Sequence, residues 1–266
     1  MKMDGESKRK LSKRKDPELA LTYYRAAGFP VKSVYEYIMT VLNSNFEDWR
    51  RANPDADVNE FKFSHKKMNP AGSLFDAAKL RDVSKNVISR MSAEEVFEGV
   101  LDFAKEFDAD LYDHLSADPA YAKQILAIGR GGKKPRKDFA VWADVKPYLD
   151  FFYEDWFRVT DEYPEQHDRE DIKTALRAFL ASYNPADDSN VWFEKIKTIA
   201  TDMGYATDMK AYRESPESFR GSVADVSMFL RVAVTGRFNS PDMYAVMQTL
   251  GESRVRARIE AMLQSL

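Results

Sequence analysis

The sequence predicts an all-α protein, on three observations. Apolar residues recur at helical spacing over most of its 266 residues, helix start and stop signals bracket those stretches, and strand-like alternation is nearly absent. Eleven Gly and eleven Pro are too few for a chain full of tight β-turns, while 44% hydrophobic residues, including 17 Phe, 13 Tyr and four Trp, suit sizeable buried cores. The length accommodates two domains or one large one.

The elements follow in order. Ser92-x-x-Glu95 is a capping box, and Val96, Val100, Ala104 and Phe107 form one face behind it. Asp118-Pro119 opens the next helix, with the aspartate as N-cap and the proline at the first helical position; Tyr121, Ile125 and Ile128 are its stripe and Gly129 stops it. From Asp168, the spacing of Ile172, Leu176, Phe179, Leu180 and Tyr183 predicts a long amphipathic helix. Ser189 is expected to cap a helix whose inward face is Trp192, Ile196 and Ile199 and whose terminator is Gly204. Val223, Val226, Leu230 and Val234 give a stripe ending at Gly236. Ser240-Pro241 is expected to start a short helix that Gly251 ends, and Val255, Ile259 and Met262 mark the last one. Phe61 and Phe63 alternate briefly as the main strand signal.

Periodicity lapses at Asn53 to Asp57, at Asn69 to Ser73, at Gly129 to Lys137 and at Glu162 to Asp168. These breaks divide the chain into 1–125, 126–170 and 171–266. No internal repeat of constant period is present.

Net charge is −3, which argues against a strongly basic coat, but the charges are segregated. Residues 1–15 hold seven Lys or Arg against Asp4 and Glu6, and Arg130 to Lys137 contains no acid at all. Between 147 and 171 nine Asp or Glu face only Arg158 and Arg169. Such patches suit a protein that touches a polyanion in some places and avoids it in others; an ordinary solvated surface is the competing reading. Absence of cysteine excludes disulfides, thiolate metal sites and a Cys nucleophile. No stretch approaches the roughly 18 apolar residues of a membrane span, and the N-terminus lacks an apolar signal core. A cytoplasmic protein is expected, with no membrane partner and no metal site.

Lys10-Leu11-Ser12-Lys13-Arg14 carries the sharpest chemistry. Two lysines around a small hydroxyl residue allow a tight turn that aims amines and backbone N–H groups at phosphate. Lysine suits such a loop as a mobile point charge on a long stem. Alone, such a basic N-terminal string is more often a disordered arm, a localisation signal or a cloning remnant.

Three further segments accompany it: Gly72-Ser73-Leu74-Phe75-Asp76 with Lys79-Leu80, Lys134-Pro135-Arg136-Lys137-Asp138, and Leu230-Arg231-Val232-Ala233-Val234-Thr235-Gly236-Arg237 with Pro241, Leu250-Gly251 and Arg254. In this order the four segments resemble the C-terminal portion of bacterial glutamyl-tRNA synthetases, over essentially the whole chain. The resemblance implies a multi-domain helical cage: a stem-contact domain at 1–125 with the lysine loop at its start, a first helical anticodon-binding subdomain at 126–170, and a C-terminal one at 171–266. It implies that Lys10 and Lys13 are the catalytic lysines, and that Lys10, Ser12, Lys13 and Arg14 meet the phosphates of ATP, with Mg2+, in the complete ligase. The partners implied are tRNA(Glu), with ATP and glutamate held by another domain, and a monomeric state.

In that family a Rossmann-type domain with a His-Ile-Gly-His signature comes first. His65, His114 and His167 are far apart and make no such signature, so the catalytic domain is expected upstream of Met1, either cut away or never part of this chain. The chain alone is expected to be inactive. A free-standing, non-catalytic RNA-binding paralogue is the alternative, and a helical interaction scaffold a third reading. The all-α pattern favours glutamate over glutamine, since glutaminyl relatives are known for β-barrel anticodon domains. The run into Lys15-Asp16-Pro17 and a longer segment near 30–60 depart from the commoner family pattern.

For RNA contact, Arg130, Lys133, Lys134, Arg136 and Lys137 form a cationic loop suited to phosphate, with Gly131-Gly132 letting backbone amides approach. The same loop reads as a solvated linker. Arg237, after a helix-ending glycine, suits stacking on an unstacked base or, equally, capping a helix C-terminus. Trp142, Trp156 and Trp192 lie on or near apolar stripes and are expected in the core.

Overall fold

A computed structural model describes residues 1–4, 7–68 and 72–266. The chain divides into two compact units, Met1–Tyr148 and Leu149–Leu266. That boundary falls inside the 126–170 segment, so its residues are shared between the units.

The first unit opens with a feature the helical reading did not anticipate. Strand β1, Lys2–Asp4, pairs antiparallel with β2, Ser7–Arg9, placing Lys2 opposite Arg9. Nothing apolar alternates here; backbone bonds to a distant loop anchor the hairpin instead. The Met1 amine donates to the Ser73 carbonyl at 3.0 Å, and the Phe75 N–H donates to the Met1 carbonyl at 2.7 Å. Of the expected Asn69–Ser73 loop, Asn69, Pro70 and Ala71 lie outside the described residues. Gly72 takes φ +82° and Ser73 Oγ donates to the Val41 carbonyl at 2.6 Å.

Helices α1 (Leu21–Ala26), α2 (Val31–Leu42), α3 (Phe46–Ala52), α4 (Ala77–Arg90), α5 (Ala93–Phe107), α6 (Ala109–Ala117) and α7 (Pro119–Ala127) complete the unit. Helix α2 packs on α4, and their apolar faces share a core of Phe29, Tyr37, Leu80, Val83, Val87 and Val141. Burying one such side chain stabilises the fold by roughly 1.5–3 kcal/mol. The Ser92–Glu95 capping box is formed in both directions, and Asp118 caps α7 through the Tyr121 N–H. Phe61 and Phe63 make no strand: Phe61 is buried beside Phe46 and Trp49, while Phe63 is exposed. Gly28 takes φ +79° and accepts the Trp142 N–H at 2.8 Å, an approach that a Cβ would crowd at 3.1 Å.

Helix α8 (Val145–Leu149) spans the boundary between the units. In the second unit, α9 (Arg169–Ser182), α10 (Ser189–Asp202), α11 (Met209–Glu214), α12 (Val223–Thr235), α13 (Met243–Leu250) and α14 (Glu252–Ser265) follow. Helix α12 is central and contacts α9, α10 and α14. Its predicted stripe is buried, and so are Phe229, Val232, Ala233 and Thr235, which leaves the face of Ala224, Ser227, Met228 and Arg231 partly open. A helix buried over most of its circumference packs against several neighbours at once. Gly236 ends it in the left-handed conformation, φ +72°, and its carbonyl accepts the Thr160 and Asp161 N–H groups at 2.9 and 3.0 Å.

Two cap positions differ from expectation. Asp188, not Ser189, caps α10 by accepting from the Asn190 and Val191 N–H groups. Asp242, not Ser240, caps α13; Ser240 is buried and bonded to the Pro241 carbonyl. Trp142 and Trp192 are buried as expected, whereas Trp156 is only partly so.

Candidate nucleic-acid interface

The lysine loop is a turn closed on one buried carboxylate. Asp16 is 1% exposed and sits at the end of the loop that starts after β2. Its Oδ2 accepts the Ser12 N–H at 2.7 Å and an Arg9 Nη1–H at 2.6 Å, and its Oδ1 accepts Arg9 Nη2–H at 2.7 Å. Its own N–H returns to the Ser12 carbonyl at 2.8 Å. The paired bonds from Arg9, then the Ser12 N–H and the charge of Lys2, hold the Asp16 carboxyl well below the usual carboxylate range. Lys2 Nζ also reaches Glu18 Oε1 at 2.5 Å, a contact that raises the lysine from its ordinary value.

This anchoring presents Lys10, Lys13, Arg14 and Lys15 outward, all exposed and with no ion-pair partner within 4 Å among the described residues. One expectation changes. The Ser12 N–H points inward to Asp16, so it is consumed by the turn and is not free to meet a phosphate. The Ser12 side chain remains half-exposed.

The second basic loop is likewise pinned at its ends. The Arg136 N–H donates to the Gly129 carbonyl at 3.1 Å, and the Arg136 guanidinium grips Asp138 through Nε and Nη2 at 2.8–3.1 Å. Its aliphatic stem lies over Gly129, where a Cβ would be 2.8 Å from Arg136 Cδ. Gly129 and Gly131 both take positive φ, as the turn requires. Lys133, Lys134 and Lys137 project from this frame, exposed and without an ion-pair partner among the described residues.

Arg130 is different. Its Nε donates to the Leu126 carbonyl at 2.8 Å, its Nη1 to the Ile88 carbonyl at 2.7 Å, and its guanidinium lies 5.5 Å from the Phe139 ring centroid. Burial lowers its pKa from the ordinary guanidinium value. Arg130 thus joins the end of α7 to the end of α4, inward of the lysines.

Arg237 is similarly engaged. Its Nη2 pairs with Asp150 and its guanidinium sits 5.9 Å from the Phe151 ring centroid. Burial pushes the Asp150 carboxyl up, an effect that the Arg237 charge opposes. The other arginines of that region behave alike. Arg254 Nη1 donates to the Phe152 carbonyl at 3.3 Å. Arg258, 5% exposed, donates to the Phe151 and Val234 carbonyls at 2.7 and 2.9 Å and pairs with Glu154 at 2.6 Å.

Sequence reasoning missed Asp16, Arg9 and Arg258. For Asp16 a signal was available: it is the first carboxylate after eight residues holding six cations, the natural counter-charge for a basic turn. Arg258 carried none, since its partners are more than 20 residues away in sequence.

The family described as anticodon binding domain matches residues 110–263. Glutamate–tRNA ligase of Acetivibrio thermocellus is 46% identical over 263 residues, covering 99% of this chain and 48% of the relative. The ligase of Sorangium cellulosum is 48% identical over 261 residues, covering 97% and 46%. The chain therefore spans about half the length of the curated relatives it matches. A crystal structure of a glutamate tRNA ligase from Elizabethkingia meningosepticum, in complex with its amino acid, aligns with TM-score 0.62 at 16% identity over all of this chain and 50% of that one, which shows a shared fold. The chain belongs to the anticodon binding domain family and is homologous to the C-terminal part of bacterial glutamate–tRNA ligases.

Proposed function

We propose that the chain is the tRNA-binding C-terminal half of a glutamate–tRNA ligase that activates glutamate with ATP and transfers it to tRNA(Glu). The observation that carries this reading is the ordered match of the whole chain to ligases of which it makes up half, together with two anchored loops whose lysines stand free. In the complete ligase ATP supplies the α-phosphorus that the glutamate carboxylate attacks and the pyrophosphate that leaves.

Lys10 and Lys13 fit that chemistry as exposed ammonium groups on a turn pinned by Asp16 and Arg9. Charge that builds on the departing phosphates is what such cations stabilise most. Arg14 flanks them, and the Ser12 hydroxyl is the one group of Ser12 left to donate outward. No group of three or more His, Asp or Glu side chains is placed to hold Mg2+ among the described residues, so no Mg2+ ligand is assigned to this chain.

Lys133, Lys134 and Lys137 meet RNA phosphates, with Arg136 setting the loop that carries them. Arg130 supports this loop from behind through the Leu126 and Ile88 carbonyls it holds, and Arg237 does the same for its own turn in the second unit through Asp150. The 1–125 region serves as the stem-contact part, and 126–170 with 171–266 as the helical anticodon-binding part, acting as a monomer in the cytoplasm. No helix among the described residues is long and apolar enough to cross a membrane.

Fluorescence anisotropy with a tRNA(Glu) transcript tests the reading. Binding that weakens steeply as salt rises is expected. Absence of affinity at low salt would overturn it. ATP–pyrophosphate exchange with glutamate is expected to be absent for this chain alone, and robust exchange would contradict its assignment as the non-catalytic half.

A further inference from the structure

A cleft of about 450 Å³ opens beside α2, α3 and α4, away from the lysine loop and lined in part by the second basic loop. Five cationic side chains, Arg50, Arg51, Lys79, Arg90 and Lys137, line it against three carboxylates. At its floor Arg50 and Arg90 share the single carboxylate of Glu36, at 2.9 and 3.1 Å from Oε1. Their side chains are only 12% and 24% exposed. Two guanidiniums on one carboxylate leave a net positive charge in a largely desolvated place, which is costly without a further anion.

Arg50 is held rigidly. Its Nη1 donates to the Asn53 and Ala56 carbonyls at 3.0 and 2.7 Å, and its guanidinium lies 4.9 Å from the Trp49 ring centroid. Its buried Nε–H has no acceptor among the described residues. At the rim, Arg51 pairs with Asp48 at 3.0 Å and Lys79 pairs with Glu47, both in exposed positions where an ion pair contributes little and exchanges readily. Lys137 is free. On the other side of the Arg50–Glu36–Arg90 cluster the balance is reversed, since Asp55, Asp57 and Glu95 face Lys32 there. An anion is therefore drawn to the Lys137 side alone.

We propose that this cleft binds a backbone phosphate of an RNA strand, with Arg51, Lys79 and Lys137 closing over an anion that balances Arg50 and Arg90. Guanidinium groups match phosphate oxygens through charge-assisted bonds, and phosphate contacts fix register on a nucleic acid without reading its sequence. Continuity with the Lys133–Lys137 loop favours a polyanion over a small carboxylate. The inference rests on the tRNA-binding reading and deepens it by naming a second contact.

The test uses the 266-residue chain and its Arg51→Gln/Lys79→Gln variant, Arg51 being exposed and Lys79 half-exposed at the rim. Affinity for a tRNA(Glu) transcript is measured across salt concentrations, with acetylation of Lys79 followed by mass spectrometry in parallel. The expected results are protection of Lys79 by tRNA, about a tenfold loss of affinity in the variant, and a salt slope shallower by about two. If the parent chain binds no tRNA, the functional reading and this inference fall together. If it binds and the variant keeps both affinity and slope, the cleft is not an RNA contact and only this inference fails. Inorganic phosphate is the comparison arm: protection of Lys79 by phosphate with tRNA affinity unchanged in the variant would make the cleft a free-phosphate site and overturn the proposal.

Discussion

The basic loops of the first unit and the arginine-rich C-terminal motif of the second use their cations differently. In the first, the lysines of two loops stand in solvent: Lys10, Lys13 and Lys15 on one, Lys133, Lys134 and Lys137 on the other. Each loop is pinned by an arginine–aspartate pair, Arg9 with Asp16 and Arg136 with Asp138. In the second unit the conspicuous cations are arginines that hold protein groups: Arg258 is buried, Arg237 is half-buried, and exposed Arg254 reaches back to a backbone carbonyl. Arg237, Arg254 and Arg258 bind Asp150, Glu154 and the carbonyls of Phe151, Phe152 and Val234. The division follows side-chain chemistry. A guanidinium offers five donors in a rigid fork and can satisfy several carbonyls at once, whereas an ammonium on a flexible stem is suited to meeting a mobile anion.

Arg258→Ala should break that contrast most forcefully. It strips donors from two buried carbonyls and leaves half-exposed Glu154 with only the longer contact to Arg254 Nε at 3.9 Å, so a loss of about 3 kcal/mol or more, chiefly from the carbonyls, is expected from urea unfolding. A loss under about 0.5 kcal/mol, the range of ordinary surface substitutions, would make Arg258 no different from an exposed lysine. Gly236→Ala comes next. The residue sits at φ +72° with the Arg158 carbonyl against the position a Cβ would take, so a cost of about 2 kcal/mol or more is expected in the same experiment. Ser92→Ala removes one half of a capping box on α5 and should cost about 1 kcal/mol, which provides a scale for the other two.

Asp16 sharpens the comparison through pH. Its folded pKa is depressed, so on acidification the unfolded chain takes up a proton at this site before the folded chain does. The stability it contributes is therefore present above the ordinary aspartate value near 3.8 and is lost as pH falls below that value. Asp16→Asn should remove this acid-side slope and increase hydrogen exchange at the Ser12 amide, while leaving exchange in α12 unchanged. Unchanged exchange at Ser12 would show that the turn does not depend on the carboxylate.

What was legible in the sequence was mostly local. Ser92 with Glu95 and Asp118 with Pro119 each cap the helix they were expected to cap, and the helix expected from Asp168 starts there, because a cap bonds within three residues of itself. Ser189 and Ser240 misled because an aspartate one or two residues away performs the same role, and composition alone does not say which polar residue leaves the helical conformation. The hairpin at Lys2–Arg9 was illegible because its anchor, Ser73 to Phe75, is about 70 residues distant. Arg130 read as one more cation of its loop. Its bonds to the Leu126 carbonyl and to that of Ile88, 42 residues earlier, separate it from Lys133 and Lys134. For the same reason the cleft at Arg50 and Arg90 had no sequence signal: its charge imbalance exists only once α2, α3 and α4 have packed.

The smallest effect on folding should coincide with the largest on RNA. Lys133→Gln, Lys134→Gln and Lys137→Gln remove three exposed charges with no ion-pair partner, so each should change stability by no more than about 0.5 kcal/mol. The most direct measurement is the salt dependence of tRNA(Glu) affinity for this triple variant beside the parent chain. The division of labour proposed here predicts weaker binding at every salt concentration and a slope lower by about one for each lysine that meets a phosphate, with the thermal midpoint essentially unmoved. An unchanged slope, or a loss of affinity that follows a loss of folding, would contradict it.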